Sequence, residues 1–150
     1  MDFELLHPDH GGYDGNDSSC VLRVNAGAAS LLLPGDIEAG VERRLAATSG
    51  AALASDVLVA AHHGSATSTS AVFLDAVAPS LVLYSAGYRN RFGFPAEEVQ
   101  ARVAARGIRR LDTADSGALE LTLQPSGEIV GPTRYRQIAD RIWRHRPVRR

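Results

Sequence analysis

An acid and a pair of histidines, each at the end of an apolar run, are the residues here best suited to chemistry. Leu31-Leu32-Leu33-Pro34-Gly35-Asp36 reads as a buried strand that runs into a carboxylate. Val57-Leu58-Val59-Ala60-Ala61-His62-His63-Gly64-Ser65 reads as a second strand that runs into adjacent imidazoles. Carboxylate oxygens and neutral imidazole nitrogens are the donors a divalent metal takes, so Asp36 and His62 are candidate partners in one site. Titratable side chains directly after an apolar strand, followed by Gly-Ser, make poor core material, which favours a functional over a packing role for the pair. Neighbours at a strand end point opposite ways. One imidazole can then bind metal while the other, turned to substrate, donates a proton or a hydrogen bond.

Bringing the two ends together is the task of the segment between them. Glu38 to Thr48 has helical spacing, with Ile37, Val41 and Leu45 at i, i+4, i+8, Asp36 placed to cap it and Gly50 to stop it. A strand–helix–strand crossover makes its strands parallel neighbours and delivers both C-terminal ends to one sheet edge, where ligands of α/β folds collect. Asn16-Asp17-Ser18-Ser19 opens a further strand, Ser19 to Asn25, which turns through Asn25-Ala26-Gly27 and pairs with Ala29 to Leu33. Locally this is an Asx-type turn; by position, Asp17 is a second acidic ligand or a residue that orients one.

The remaining pattern continues the alternation. Phe3 to Leu6 is a short strand, and His7 to Asp17 a loop. Within that loop, His7-Pro8-Asp9-His10-Gly11-Gly12 resembles the Asp-His-x-Gly-Gly part of a binuclear metal motif. Tyr13-Asp14-Gly15-Asn16 leaves no room for the helix that follows such a motif, so the segment reads as exposed polar loop. Phe73, Leu74 and Val77 form the stripe of a helix ended by Pro79, and Ser80 to Ser85 is a strand. Arg89-Asn90-Arg91 follows on a loop between Tyr88 and Phe92, a combination suited to phosphate and base contacts, with solvated surface charge as the alternative. Pro95 in the first turn, Glu97 and Glu98 early, and Arg102, Arg106 and Gly107 late mark a helix. Ile108 to Leu111, Leu119 to Leu123 and Glu128 to Val130 are strands. From Arg134 a basic helix is expected, with Ile138, Ile142 and Trp143 on its apolar side, read as a packing helix and not a nucleic-acid clamp.

Composition sets the bounds. At 150 residues, 45% hydrophobic and 22% charged, the chain fits one α/β domain with a real core. A net charge of -1 points to no polyanionic partner. All 16 basic residues are Arg, in keeping with a GC-rich genome. The single Cys20 excludes an internal disulfide and a multi-cysteine zinc site, and its strand position reads as a small core residue. No apolar run reaches the length of a membrane span and no signal peptide opens the chain, so it is expected to be soluble as given.

In order, Asn16-Asp17-Ser18-Ser19-Cys20-Val21-Leu22, Leu32 to Glu38, Asp56-Val57-Leu58 leading into His62-His63-Gly64-Ser65, Ser85 to Pro95, Asp112-Thr113 and Ser116-Gly117-Ala118 form one combination. It resembles the C-terminal part of the metallo-β-lactamase-like domain of the DNA-internalisation competence proteins, the ComEC family. The resemblance implies half of an αββα sandwich, a mixed sheet with flanking helices, with a metal centre at the sheet edge. It implies Asp36 as a metal-bridging carboxylate and His62 as a ligand to zinc or manganese. His63 or Ser65 would assist the leaving group or contact phosphate. Single-stranded DNA would be the transient substrate, hydrolysed during uptake by a metal-bound hydroxide. In many members a histidine stands in the place of Phe94, so that position lacks its imidazole here. The superfamily's His-x-His-x-Asp-His signature, which supplies most ligands, belongs upstream of Asn16 and is absent from the chain. The resemblance thus implies a C-terminal piece of a larger inner-membrane channel protein, its domain periplasmic, or a truncated reading frame. Alone, the chain is expected to bind metal weakly and to turn over little or not at all. Two rivals stand beside this reading: a non-catalytic nucleic-acid-binding or structural module, and another hydrolase of the same fold acting on an ester or a small phosphodiester.

Overall fold

In the computed structural model, which describes residues 1–138, the apolar runs become strands of a mixed sheet. In chain order the elements are β1 (Asp2–His7), β2 (Val21–Ala26), β3 (Ala29–Leu33), α1 (Ala39–Thr48), β4 (Val57–Val59), α2 (Ala71–Val77), β5 (Leu81–Tyr84) and α3 (Glu97–Ala105). There follow β6 (Arg109–Asp112), α4 (Thr113–Ser116), β7 (Leu119–Leu123), β8 (Ile129–Arg134) and α5 (Tyr135–Ile138). Six strands pair in chain order, β1 to β6, antiparallel up to β3 and parallel from β3 onward. Each parallel step is a helical crossover, since adjacent parallel strands cannot be joined by a tight turn. β7 and β8 form a separate antiparallel hairpin.

Register divides the side chains between two faces. Leu32, Leu58 and Val82 line one face and meet the buried stripes of α1, α2 and α3, chiefly Val41, Leu45, Phe73, Leu74, Val99 and Val103. Leu31, Val57, Leu81 and Leu111 line the other, where Leu119, Leu121 and Ile129 of the hairpin cover them. Two-sided cover is why the parallel strands read as continuous apolar runs. The hairpin leaves the β1 end of that face open: Phe3, in a row with Val24 and Leu31, and Leu5, in a row with Leu22 and Leu33, are 64% and 58% exposed.

Several sequence expectations need correction. His7 is no part of an exposed loop; it ends β1 and is wholly buried. Cys20 is exposed, because the strand begins one residue later and alternation sends Val21 inward. Arg134 closes β8, so the helix starts at Tyr135, and the expected Ile142 and Trp143 lie outside the described residues. Pro95 precedes the helix-capping Ala96 and is not in the first turn.

A buried carboxylate fastens the helical layer. Glu42 of α1 is fully buried and accepts the backbone N–H groups of Thr69 and Ser70, the latter at 2.7 Å, where α2 begins. From α3, Arg102 donates to the carbonyls of Ser68 and Thr69 at 3.0 and 2.8 Å. Burial pushes the Glu42 carboxyl above its ordinary range despite those N–H bonds.

Tyr84 ends β5 buried, and its hydroxyl has no hydrogen-bond partner among the described residues. Burial pushes this phenol from 10.0 up to about 12. A raised folded-state value means that its contribution to stability is whole below about pH 10 and is lost as pH climbs towards 12. Tyr84→Phe removes the unpaired hydroxyl, so thermal unfolding at neutral pH should occur at an unchanged or higher temperature, with a smaller alkaline loss. A melting temperature several degrees lower would show that the hydroxyl does have a partner.

Candidate active site at the sheet edge

Beyond β3, Gly35 turns the chain at φ +61°, and a Cβ there would lie 2.7 Å from the Ser19 Cβ. Only glycine fits so tight and left-handed a turn. Ser19 Oγ accepts the Asp36 N–H at 3.1 Å, and the fully buried Ile37 anchors the next residue. Asp36 and Glu38 flank that anchor as two partly exposed carboxylates. Asp36 does not cap α1. The helix starts at Ala39 with Glu38 as its N-terminal flank, and the Glu38 N–H is taken by Asp17 Oδ1 at 2.8 Å.

Beyond β4 the chain does not continue extended to the histidines, as the sequence reading expects. The strand ends at Val59, and His62 (φ 49°, ψ 42°) and His63 (φ 58°, ψ 15°) stand in succession in the left-handed region. Two consecutive non-glycine residues there are strained, a state that persists only where surrounding contacts impose it. Those contacts are present. The Gly35 carbonyl accepts the His62 N–H at 3.0 Å, the Gly64 carbonyl accepts the Ala96 N–H at 2.8 Å, and Ser68 Oγ donates to the Ala61 carbonyl at 2.7 Å. A Cβ on Gly64 would sit 2.8 Å from Pro95.

This turn re-aims both imidazoles. His63 Nε2 lies 3.6 Å from Asp36 Oδ1, and His62 Nδ1 lies 3.7 Å from Glu38 Oε1. The sequence reading couples Asp36 with His62; the closest carboxylate contacts pair Asp36 with His63 and Glu38 with His62. Neither pair is a closed hydrogen bond at these distances. The buried His62 Nδ1 has no hydrogen-bond partner among the described residues. No group of three or more His, Cys, Asp and Glu side chains converges among those residues.

Behind the pair, Asp17 is held from the core. Arg44 Nη2 has no lone pair, so the buried His7 Nδ1 accepts from it at 2.8 Å and the His7 proton sits on Nε2. That proton goes to the Asp17 carbonyl at 2.7 Å. Asp9 is bound to the same guanidinium at 2.8 and 2.9 Å, which holds its carboxyl down to about 2, while His10 stacks on Tyr13 outside. Ser65 is buried, with its Oγ 3.2 Å from Thr67 Oγ1. Arg89 and Arg91 lie exposed beyond β5. Between them Asn90 faces inward: its Nδ2 donates to the carbonyls of Gly87 and Phe94 and its Oδ1 accepts the Phe94 N–H. Phe94 contacts His62 edge-on, with ring centroids 5.8 Å apart.

No family model matches the chain. Competence protein ComA of Neisseria gonorrhoeae is 48% identical to it over 128 residues, 85% of this chain and 18% of that protein. Recombination protein 2 of Haemophilus influenzae is 37% identical over 122 residues, 81% of this chain and 15% of that protein. For ComE operon protein 3 of Bacillus subtilis the identity is 33% over 105 residues, 70% and 13%. The chain is a competence-family segment. It spans less than a fifth of the length of each of these relatives.

The sequence reading placed none of Glu38, His7, Arg44, Glu42 and Arg102 at the site or behind it. Glu38 had a usable signal, a second acid two residues after Asp36 across a buried Ile37. For the others no local pattern marks burial. The left-handed turn itself can be tested. His63 is half exposed, so its truncation removes little packing. In chemical denaturation His63→Gly should be more stable than His63→Ala by about 1 kcal/mol, since only glycine adopts this backbone without a Cβ clash. Equal stability of the two variants would show that the turn carries no strain.

Proposed function

We propose that this chain carries one side of a metal-dependent hydrolytic centre acting on single-stranded DNA, in half of a metallo-β-lactamase-like αββα sandwich. Its parent is a DNA-uptake protein of the inner membrane that holds this domain on the periplasmic side. One observation carries the reading: two imidazole–carboxylate pairs stand side by side at the C-terminal edge of parallel strands, one with a buried nitrogen that has no hydrogen-bond partner among the described residues. Kinship with competence proteins supplies the DNA context. The exposed apolar side chains of β1, Phe3 and Leu5, support a sandwich whose second sheet lies elsewhere. Among the described residues no helix is long and apolar enough to cross a membrane, so the membrane part of this proposal rests on the relatives.

The donor set fits a partial metal site. His62 Nδ1 and the Glu38 carboxylate 3.7 Å from it would take zinc or manganese, with Asp17 orienting Glu38 through its backbone. Asp36 would have to close on the ion from beside His63, since no three donors converge among the described residues. When bound, such an ion activates water and offsets charge on a phosphodiester. Half-exposed at the edge and 3.6 Å from the Asp36 carboxylate, His63 would give a proton to a departing oxygen. Ser65 Oγ, tied to Thr67, braces the turn or contacts phosphate. Arg89 and Arg91 bind flanking phosphates from a loop that Asn90 keeps in shape.

In the full-length parent, chelation should abolish DNA hydrolysis, and Asp36→Asn or His62→Ala should each lower its rate at least about 100-fold. Hydrolysis at the parent rate in either variant contradicts the assignment. Salt-dependent DNA binding untouched by chelator and by Asp36→Ala, without hydrolysis, would instead mark a non-catalytic binding module.

A further inference from the structure

We propose that Phe92 and Phe94 form a stacking step for an unpaired nucleobase, placed so that the phosphate beside that base reaches His62 and His63. The inference rests on the DNA reading above and assigns it a base-binding subsite. The rings make a continuous path outward from the candidate site. Phe94 stands edge-on to His62 at 5.8 Å, and Phe92 lies nearly parallel to Phe94, at 5.5 Å and 20°. Phe92 is 62% exposed, at the tip of a polar loop. Single exposed aromatics are ordinary on protein surfaces. This one differs in being held out rigidly. Asn90 pins the Phe94 carbonyl and N–H at 2.6 and 2.9 Å and the Gly87 carbonyl at 3.0 Å, and its own carbonyl accepts the Gly93 N–H at 3.3 Å. The backbone on both sides of Phe92 is therefore fastened before any ligand arrives, which lowers the ordering cost of binding.

Charge beside the rings matches the same ligand. The Arg91 guanidinium lies 4.8 Å from the Phe92 ring centre, and Arg89 lies on the same loop. A base that stacks on Phe92 replaces the Arg91 guanidinium on the ring and frees it for the adjoining phosphate. Every base has a π-face, so such a step reads no sequence, but it does require a base that is not stacked in a duplex. Unpaired strands are thereby selected, and the backbone is set two ring contacts from the imidazoles.

Binding of a fluorescent oligothymidylate to the intact chain, measured by anisotropy in the presence of chelator, tests this apart from catalysis. Phe92→Leu should weaken binding at least about fivefold, the low end of one base stack, while Phe92→Trp should retain it. An abasic oligonucleotide of equal length and charge should bind wild type about as weakly as the oligothymidylate binds Phe92→Leu, and duplex should bind no better. Arg91→Ala should lower the salt slope by about one. Unchanged affinity in Phe92→Leu, equal binding of the abasic strand, or no binding at all overturns the subsite. Phe92-dependent binding together with an inert full-length parent would instead overturn the hydrolytic reading and leave the subsite standing.

Discussion

Because α1 carries the chain from the end of β3 back to the start of β4, both strands must finish at one edge, and the Gly35 carbonyl there accepts the His62 N–H at 3.0 Å. The remaining geometry depends on that single tie. It fixes the turn after β4 relative to the turn after β3, and so sets which carboxylate each imidazole meets. Strand order continues the logic: β5 and β6 are parallel to β4, which brings the Ala86–Phe94 loop and Thr113 to the same edge. Thr113 Oγ1 donates to the Ala86 carbonyl at 2.8 Å and fastens the start of that loop.

Holding two histidines in the left-handed region costs about 1–3 kcal/mol each and has to be offset elsewhere. The offset lies in the layer beneath. Glu42 and Arg102, from helices on either side, clamp the segment that follows the histidine turn by its N–H and carbonyl groups. A buried carboxylate is itself costly, and removing a partner from such a network is far more damaging than its net contribution to stability implies. The same pattern recurs behind Asp17, where Arg44 and His7 link α1 to the acidic turn through a single tautomer. Rigid support behind exposed, strained donors is the arrangement expected of a preorganised site.

Much of this was legible in the sequence. Apolar runs ending in Asp36 and His62, helical spacing at Val41 and Leu45, and Pro79 and Gly107 as stops place the parallel elements correctly. The pairing within the site was not legible. It turns on positive φ at His62 and His63, and nothing in apolar periodicity signals a left-handed histidine. Asp36 looked like a helix cap because caps are local, whereas the N–H it would have served is met by Asp17 from 21 residues away in the chain. His7 and Glu42 were missed for the same reason. Burial of a charged or polar side chain depends on distant partners, here Arg44 and the Thr69–Ser70 backbone, that no spacing rule connects to it.

A metal at this sheet edge would have to bind His62 through its buried Nδ1. Ring-nitrogen spectra of the isotope-labelled chain during zinc titration test it directly, because the chain's five histidines can be followed separately. The resonance of His62 should shift at Nδ1, reverse on chelation, and stay unmoved in Asp36→Asn with Glu38→Gln. Zinc-dependent shifts confined to other histidines, such as the exposed His10, with His62 unmoved, would contradict metal binding by this edge.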